Sequence, residues 1–235
     1  MTVIVPTPDL TALSKDELRA MQSAGIEAQR CIQALAKVGY NLVGEVLKGQ
    51  GQFVKLTHYP DGDVYDRDSH SQYYYHAHRD GEHGHFHCFL RKAGMPGGVA
   101  PVPEAATHDW PKDDKALAHL VAISMDRYGA PLRMFTTNQW VTAETWYPAT
   151  DMLRMIDRFS VDHAFPSWPT NLWLTAMFRL FRPQIAALIT ARDAAFAEHA
   201  ATATGDPYED RGFETITECP IDTDAQMKAV ATALG

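Results

Sequence analysis

Five of the chain's eleven histidines fall within twelve residues, in the run Tyr73-Tyr74-Tyr75-His76-Ala77-His78-Arg79-Asp80-Gly81-Glu82-His83-Gly84-His85-Phe86-His87-Cys88-Phe89-Leu90. Neutral imidazole is a ligand for Zn, Cu, Fe and Ni, and it also titrates near neutral pH. Three such ligands around one ion leave a coordination position open for reaction, whereas four close the shell. The chemistry on offer is therefore metal binding through His76, His78, His83, His85 and His87. The expected cofactor is a divalent ion, Fe or Zn.

These rings must first be brought to one side of the chain. Asp80-Gly81 between two aromatic-rich runs is a hairpin signal. A two-residue turn there pairs His78 with His83, His76 with His85 and Tyr74 with His87. Opposed residues share a face and successive residues alternate. All five histidines then emerge together with Tyr74 and Phe89, while Tyr73, Tyr75, Ala77, Phe86, Cys88 and Leu90 occupy the other side. A three-residue loop, Arg79-Asp80-Gly81, is the competing register. It sets His76, His78 and Glu82 on one face and His83, His85 and His87 on the other. Segregation of imidazoles from apolar side chains favours the two-residue turn. Either register gathers at least three candidate ligands. Tyr74 is a candidate proton donor beside them. Cys88 points away in the favoured register, which disfavours a cysteine–histidine nucleophile.

The remaining sequence reads as the frame for this hairpin. Ser14 and Glu17 form a capping-box pattern, and Leu18, Met21, Gly25, Ala28, Ile32 and Leu35 make one helical stripe. A strand is expected over Phe53–Tyr59, followed by a turn through the aspartates 61–68. Those aspartates do not fit the twelve-residue calcium loop. Residues 93–115, rich in Gly and Pro, read as a long loop in which His108, Asp109 and Trp110 can close over the site. Leu117–Met125 and Leu132–Thr137 form a second hairpin, and Trp140–Trp146 alternates like a further strand. A long helical run over about 170–202 should break at Pro183. Phe213–Ile221 reads as a late strand, and Asp222 caps a final helix. The fold class is thus α+β. An antiparallel sheet of five or six strands from the central third packs against N- and C-terminal helices. One domain spans 1–235, with 14–48 helical, 53–146 mainly β, 148–204 helical and 213–234 strand plus helix. The histidine face is expected to border a cavity beneath the helices.

Composition narrows the function. The 235 residues carry a formal net charge of −8, which argues against nucleic acid or an anionic membrane as partner. Cys31, Cys88 and Cys219 are scattered and odd in number, as in reduced cytoplasmic proteins. No secretory signal or membrane-spanning run is evident. There is no phosphate loop, dinucleotide fingerprint or nucleophile elbow.

His76-x-His78-x-x-x-Glu82 resembles the first half of the cupin metal motif. That resemblance implies iron, manganese or zinc held by His76, His78 and Glu82, and it makes Glu82 a second candidate catalytic residue beside Tyr74. It covers seven residues. The flanking glycines and the second cupin motif are absent, and the chain is more helical than a plain cupin. Gln72–Leu90 and Pro166-Ser167-Trp168-Pro169-Thr170-Asn171 resemble a group of uncharacterised bacterial proteins, a likeness that implies no mechanism. Three functions follow as expectations. The first is a metal-dependent enzyme acting on a small molecule by hydrolase or oxidoreductase chemistry. The second is a non-catalytic metal-binding or sensing protein. The third is a structural or interaction domain.

Overall fold

The computed structural model describes all residues 1–235 and has one mixed seven-stranded sheet with helices packed against it, an α+β fold. The strands are β1 (Val3–Ile4), β2 (Tyr59–Tyr65), β3 (Ser71–His76), β4 (Gly84–Arg91), β5 (Leu117–Met125), β6 (Pro131–Thr137) and β7 (Thr215–Pro220). The helices are α1 (Lys15–Ala36), α2 (Leu42–Leu47), α3 (Gln139–Thr142), α4 (Ala149–Met155), α5 (Trp168–Leu180), α6 (Arg182–Ala200) and α7 (Thr223–Leu234). Strand order is β1-β7-β6-β5-β4-β3-β2. Every pairing is antiparallel except β1 with β7. No helix is long and apolar enough to cross a membrane.

Local chemistry sets the helix boundaries. Ser14 caps α1 through the expected capping box, its hydroxyl accepting from the Glu17 N–H. The buried stripe of α1 runs through Cys31, while Ile32 lies outside it and is exposed. The Asp222 carboxylate accepts from Ala225 N–H and opens α7. The long C-terminal run divides into α5 and α6 at Phe181, because Pro183 lacks the N–H a continuous helix needs there.

Three sequence expectations are corrected. The strand expected over Phe53–Tyr59 begins where that segment ends, and the aspartate-containing stretch itself pairs with β3. This strand sits at the sheet edge, where a proline and an irregular register are tolerated. Trp140–Trp146 is not a strand; α3 occupies its first half. Asn138 caps that helix, and Ala143 ends it in the left-handed conformation. Finally, the helices cover the face opposite the histidines. Tyr73, Tyr75, Phe86, Cys88 and Leu90 join Trp173, Leu174, Leu180 and Ile185 in the main core, and the Phe86 and Trp173 rings lie 6.2 Å apart. Cys88 is in that core, as expected.

The ladder pairs define what remains on the other face. One row runs Tyr74, His87, Ala122, Phe135, Glu218. The next runs His76, His85, Ser124, Arg133, Pro220. Connecting segments rather than helices cover this side. His58, just before β2, stacks on Tyr74 at 3.6 Å, and Glu144, after α3, reaches β5.

Candidate metal centre

His76 lies opposite His85 and Tyr74 opposite His87, so the β3–β4 register is the one that segregates imidazoles from apolar groups. The tight two-residue turn does not form. Pairing stops at His76 and His85, and residues 77–83 make a wider loop with Gly81 at φ 82°. This loop redistributes three of the candidate residues.

His83 leaves the histidine face. It stacks on Phe53 at 5.1 Å, and its Nδ1 lies 2.8 Å from the Tyr75 hydroxyl, on the side of the apolar core. Gly84 makes this possible. A Cβ there would stand 2.5 Å from the His76 carbonyl and 2.7 Å from the Tyr75 hydroxyl, so only glycine lets the tyrosine pass. Glu82 turns inward, whereas a two-residue turn, pairing it with Arg79, would set it on the face opposite the histidines. Its side chain is fully buried; one oxygen accepts from His85 Nδ1, and the other accepts from Ser124 Oγ and from an Arg133 N–H at 3.2 Å. His78 stays at the rim, half-buried, with its ring 4.9 Å from His76 and 5.1 Å from His85.

His76, His85 and His87 form the centre. All three are buried, with His85 and His87 inaccessible, and one ring nitrogen from each can lie within 4.8 Å of the others. Ring centroids are 4.5, 5.0 and 4.7 Å apart for the three pairs. Nitrogens bound to one ion at about 2.0–2.1 Å stand roughly 3 Å apart, and the His76 and His85 Nε2 atoms are already 2.8 Å apart. This histidine set can hold a metal ion.

The hydrogen-bond partners fix which nitrogens are free. Glu82 accepts from His85 Nδ1–H, which leaves a lone pair on His85 Nε2 facing His76. His87 Nδ1 lies 2.9 Å from His119 Nε2, and His119 Nδ1 lies 3.3 Å from Thr137 Oγ1. Donation from His119 Nδ1–H to Thr137, and from His87 Nδ1–H to His119, leaves a lone pair on His87 Nε2. That atom is buried with no partner. An unmet buried polar atom costs about 1–3 kcal/mol unless something binds it. In the metal-free protein His76 Nε2–H donates to His85, so loading an ion requires His76 to carry its proton on Nδ1 instead.

Burial sets the protonation states. Desolvation, helped by the neighbouring imidazoles, depresses His76 to about 2 and drives His87 well below its ordinary value. Desolvation lowers His119 to about 3, with Arg192 contributing. His85 is lowered by burial against the opposing pull of Glu82. Burial alone would raise Glu82, but hydrogen bonds from His85 and Ser124 and the charge of Arg79 hold it below the usual carboxylate range. The cluster is thus neutral imidazole beside an ionised carboxylate, the states metal binding requires. Burial raises the Tyr74 phenol, which keeps its proton. Glu144 is pushed up to about 8 by burial. His108 and Trp110 stack on each other and His108 pairs with Asp206, so they do not close over the histidines.

Sequence reasoning missed His119. In strict alternation it belongs with Val121 on the helix side. The register shifts between Cys88 and Phe89, so Cys88 faces Val121 while Phe89 faces His119. This bulge at Leu120 turns His119 onto the histidine face. His58 was missed as well, because the segment holding it is irregular. Its ring covers Tyr74 and its Nδ1 lies 3.2 Å from Asp63.

The molecule is therefore an α+β protein with a buried tri-histidine site on the helix-free face of its sheet. The chain belongs to the family described as domain of unknown function DUF6969, which it matches over residues 22–221. No curated protein and no solved structure matches it.

Proposed function

We propose that the protein is a metal-dependent enzyme in which His76, His85 and His87 bind one Fe or Zn ion through their Nε2 atoms. The observation that carries this reading is the buried, unpartnered Nε2 of His87 beside two other buried imidazoles, with one ring nitrogen of each of the three within 4.8 Å of the others. Two ligands have their remote nitrogens tied, His85 to Glu82 and His87 to His119. Such partners orient metal-binding imidazoles and raise their basicity. Three protein ligands leave a position for water or a small-molecule substrate. Tyr74, whose ring is tilted against His87 at 5.2 Å and whose phenol keeps its proton, is the candidate proton donor in this reading. Glu82 orients His85; with both oxygens engaged it is not a free base.

A second reading rests on His78. Its ring is close enough to His76 and His85 to swing in as a fourth ligand, which would close the shell and make a binding or sensing site.

The test is metal content by mass spectrometry on protein purified without an affinity tag. About one Fe or Zn per chain is expected. His85→Ala and His87→Ala should lose the metal, and His83→Ala should keep it. Wild-type protein that refolds with zinc or ferrous iron and retains neither would overturn the proposal. If His78→Ala also loses the ion, the closed four-histidine reading replaces the open one.

A further inference from the structure

A cavity of about 360 Å³ is bordered by His78 and Arg79 on one side and by Met1, Thr2 and residues 212–215 on the other. Its size is at the small end of ligand pockets. His78 links the cavity to the cluster, since it borders the cavity and its ring is within 5.1 Å of His76 and His85. Arg79 approaches the cluster from the same side. Its guanidinium lies over the Phe135 ring at 4.6 Å, and the edge of His85 packs on that ring at 5.3 Å.

Arg79 is held in place but only partly engaged. Phe135 supports one face of its guanidinium, and Glu214 is 3.6 Å from Nε, beyond a good hydrogen bond. Its Nη1 is buried and has no partner. The other nearby guanidinium, Arg133, is already committed to Glu82 at 3.2 Å and approaches Glu218 at 3.9 Å. A buried, unpartnered guanidinium N–H suits a carboxylate oxygen, and the planar fork can offer it a second, parallel N–H bond. The charges agree. A divalent ion on three neutral imidazoles leaves the centre positive, with Glu82 offset by Arg133 and Glu214 by Arg79. A single planar fork matches the two oxygens of a carboxylate.

We infer that the substrate is a small carboxylic acid, whose carboxylate docks on Arg79 while a second oxygen reaches the open metal position. This rests on the metal reading above. Arg79 then contributes both affinity and orientation, and His78 marks the passage between cavity and ion.

The test uses the full chain loaded with Co²⁺, whose visible absorption reports changes in its ligands. Malonate serves as the probe, and its diamide as the neutral counterpart. Malonate should shift the cobalt bands saturably, and malonamide should not. Arg79→Gln should weaken malonate by about ten- to a hundredfold, the loss expected for a charge-assisted contact, with cobalt uptake unchanged. Cobalt-loaded protein that ignores malonate overturns the inference and leaves the metal site standing. So does an Arg79→Gln variant that binds malonate as wild type does, or inorganic phosphate binding more tightly than malonate. Protein that takes up no cobalt overturns the metal reading and this inference with it.

Discussion

Acid should unfold the metal-free protein steeply, because its buried histidines are neutral. His76 is depressed to about 2, His119 to about 3, and His87 lies well below its ordinary value, all chiefly through burial. In the unfolded chain each titrates near 6.5. Below that pH the unfolded state binds three protons that the fold refuses. Stability therefore falls as pH falls, by ~1.4 kcal/mol per pH unit for each group, or ~4 kcal/mol for the three. Glu144 works the other way. Burial pushes it up to about 8, so between there and its unfolded value near 4.3 the fold holds the extra proton, and acidification returns ~1.4 kcal/mol per unit. The net slope from these four groups is ~3 kcal/mol per pH unit between about pH 5.5 and 4.5, and the lowered His85 adds to it. A domain with ~5–15 kcal/mol of total stability should then approach its limit near pH 4–5.

Urea unfolding followed by fluorescence of the five tryptophans, in buffers from pH 7.5 to 4.5 with chelator present, measures this slope. His87→Leu removes one of the three groups and should flatten the curve by ~1.4 kcal/mol per pH unit. Zinc should shift the acid limb to lower pH, since protons and metal compete for the same nitrogens. A slope under ~1 kcal/mol per unit, or stability that rises on acidification, would show that these rings accept protons within the fold, and the burial argument would fail.

Three further outcomes follow from the geometry. Glu82→Gln keeps the shape but weakens the hold on His85 Nδ1, so competition against a chromophoric chelator should show metal affinity reduced about 10- to 100-fold; an unchanged affinity would remove Glu82 from the site. Gly84→Ala places a methyl 2.5 Å from the His76 carbonyl and 2.7 Å from the Tyr75 hydroxyl. It should cost at least ~1–3 kcal/mol in urea unfolding, and a neutral substitution would contradict the close crossing of Tyr75. Asp66 is buried, and its carboxylate accepts from the N–H groups of Asp68, Ser69 and Asp162. Asp66→Ala should therefore destabilise by ~3 kcal/mol, measured the same way, without altering metal content.

How much of this was legible in the sequence depends on where regular alternation holds. Between Ser71 and His76, and between His85 and Leu90, side chains alternate without interruption, and the pairing of His76 with His85 and Tyr74 with His87 followed from the hydrophobic pattern alone. Leu117–Met125 and its partner strand were readable for the same reason. Alternation fails wherever the backbone inserts or bends. One extra residue, Leu120, reverses the parity of the strand beyond it and delivers His119 to His87. The loop 77–83 carries Glu82 inward and His83 outward, contrary to their positions in an ideal hairpin. Both departures act on the same centre. The regular ladder supplies the three inner imidazoles, and the irregular segments supply the groups that hold two of them, Glu82 at His85 and His119 at His87. Periodicity therefore finds the ligands, and the partners that fix their tautomers come from the breaks in it. The helix-free side of the sheet has the same origin. Tyr73, Tyr75, Phe86, Cys88 and Leu90 are the residues that could be buried under helices without a polar partner. The imidazoles had to take the other face, where the loop 77–83 brings the Glu82 carboxylate and the neighbouring strands bring the Ser124 and Thr137 hydroxyls and the Arg133 guanidinium that a buried polar cluster requires.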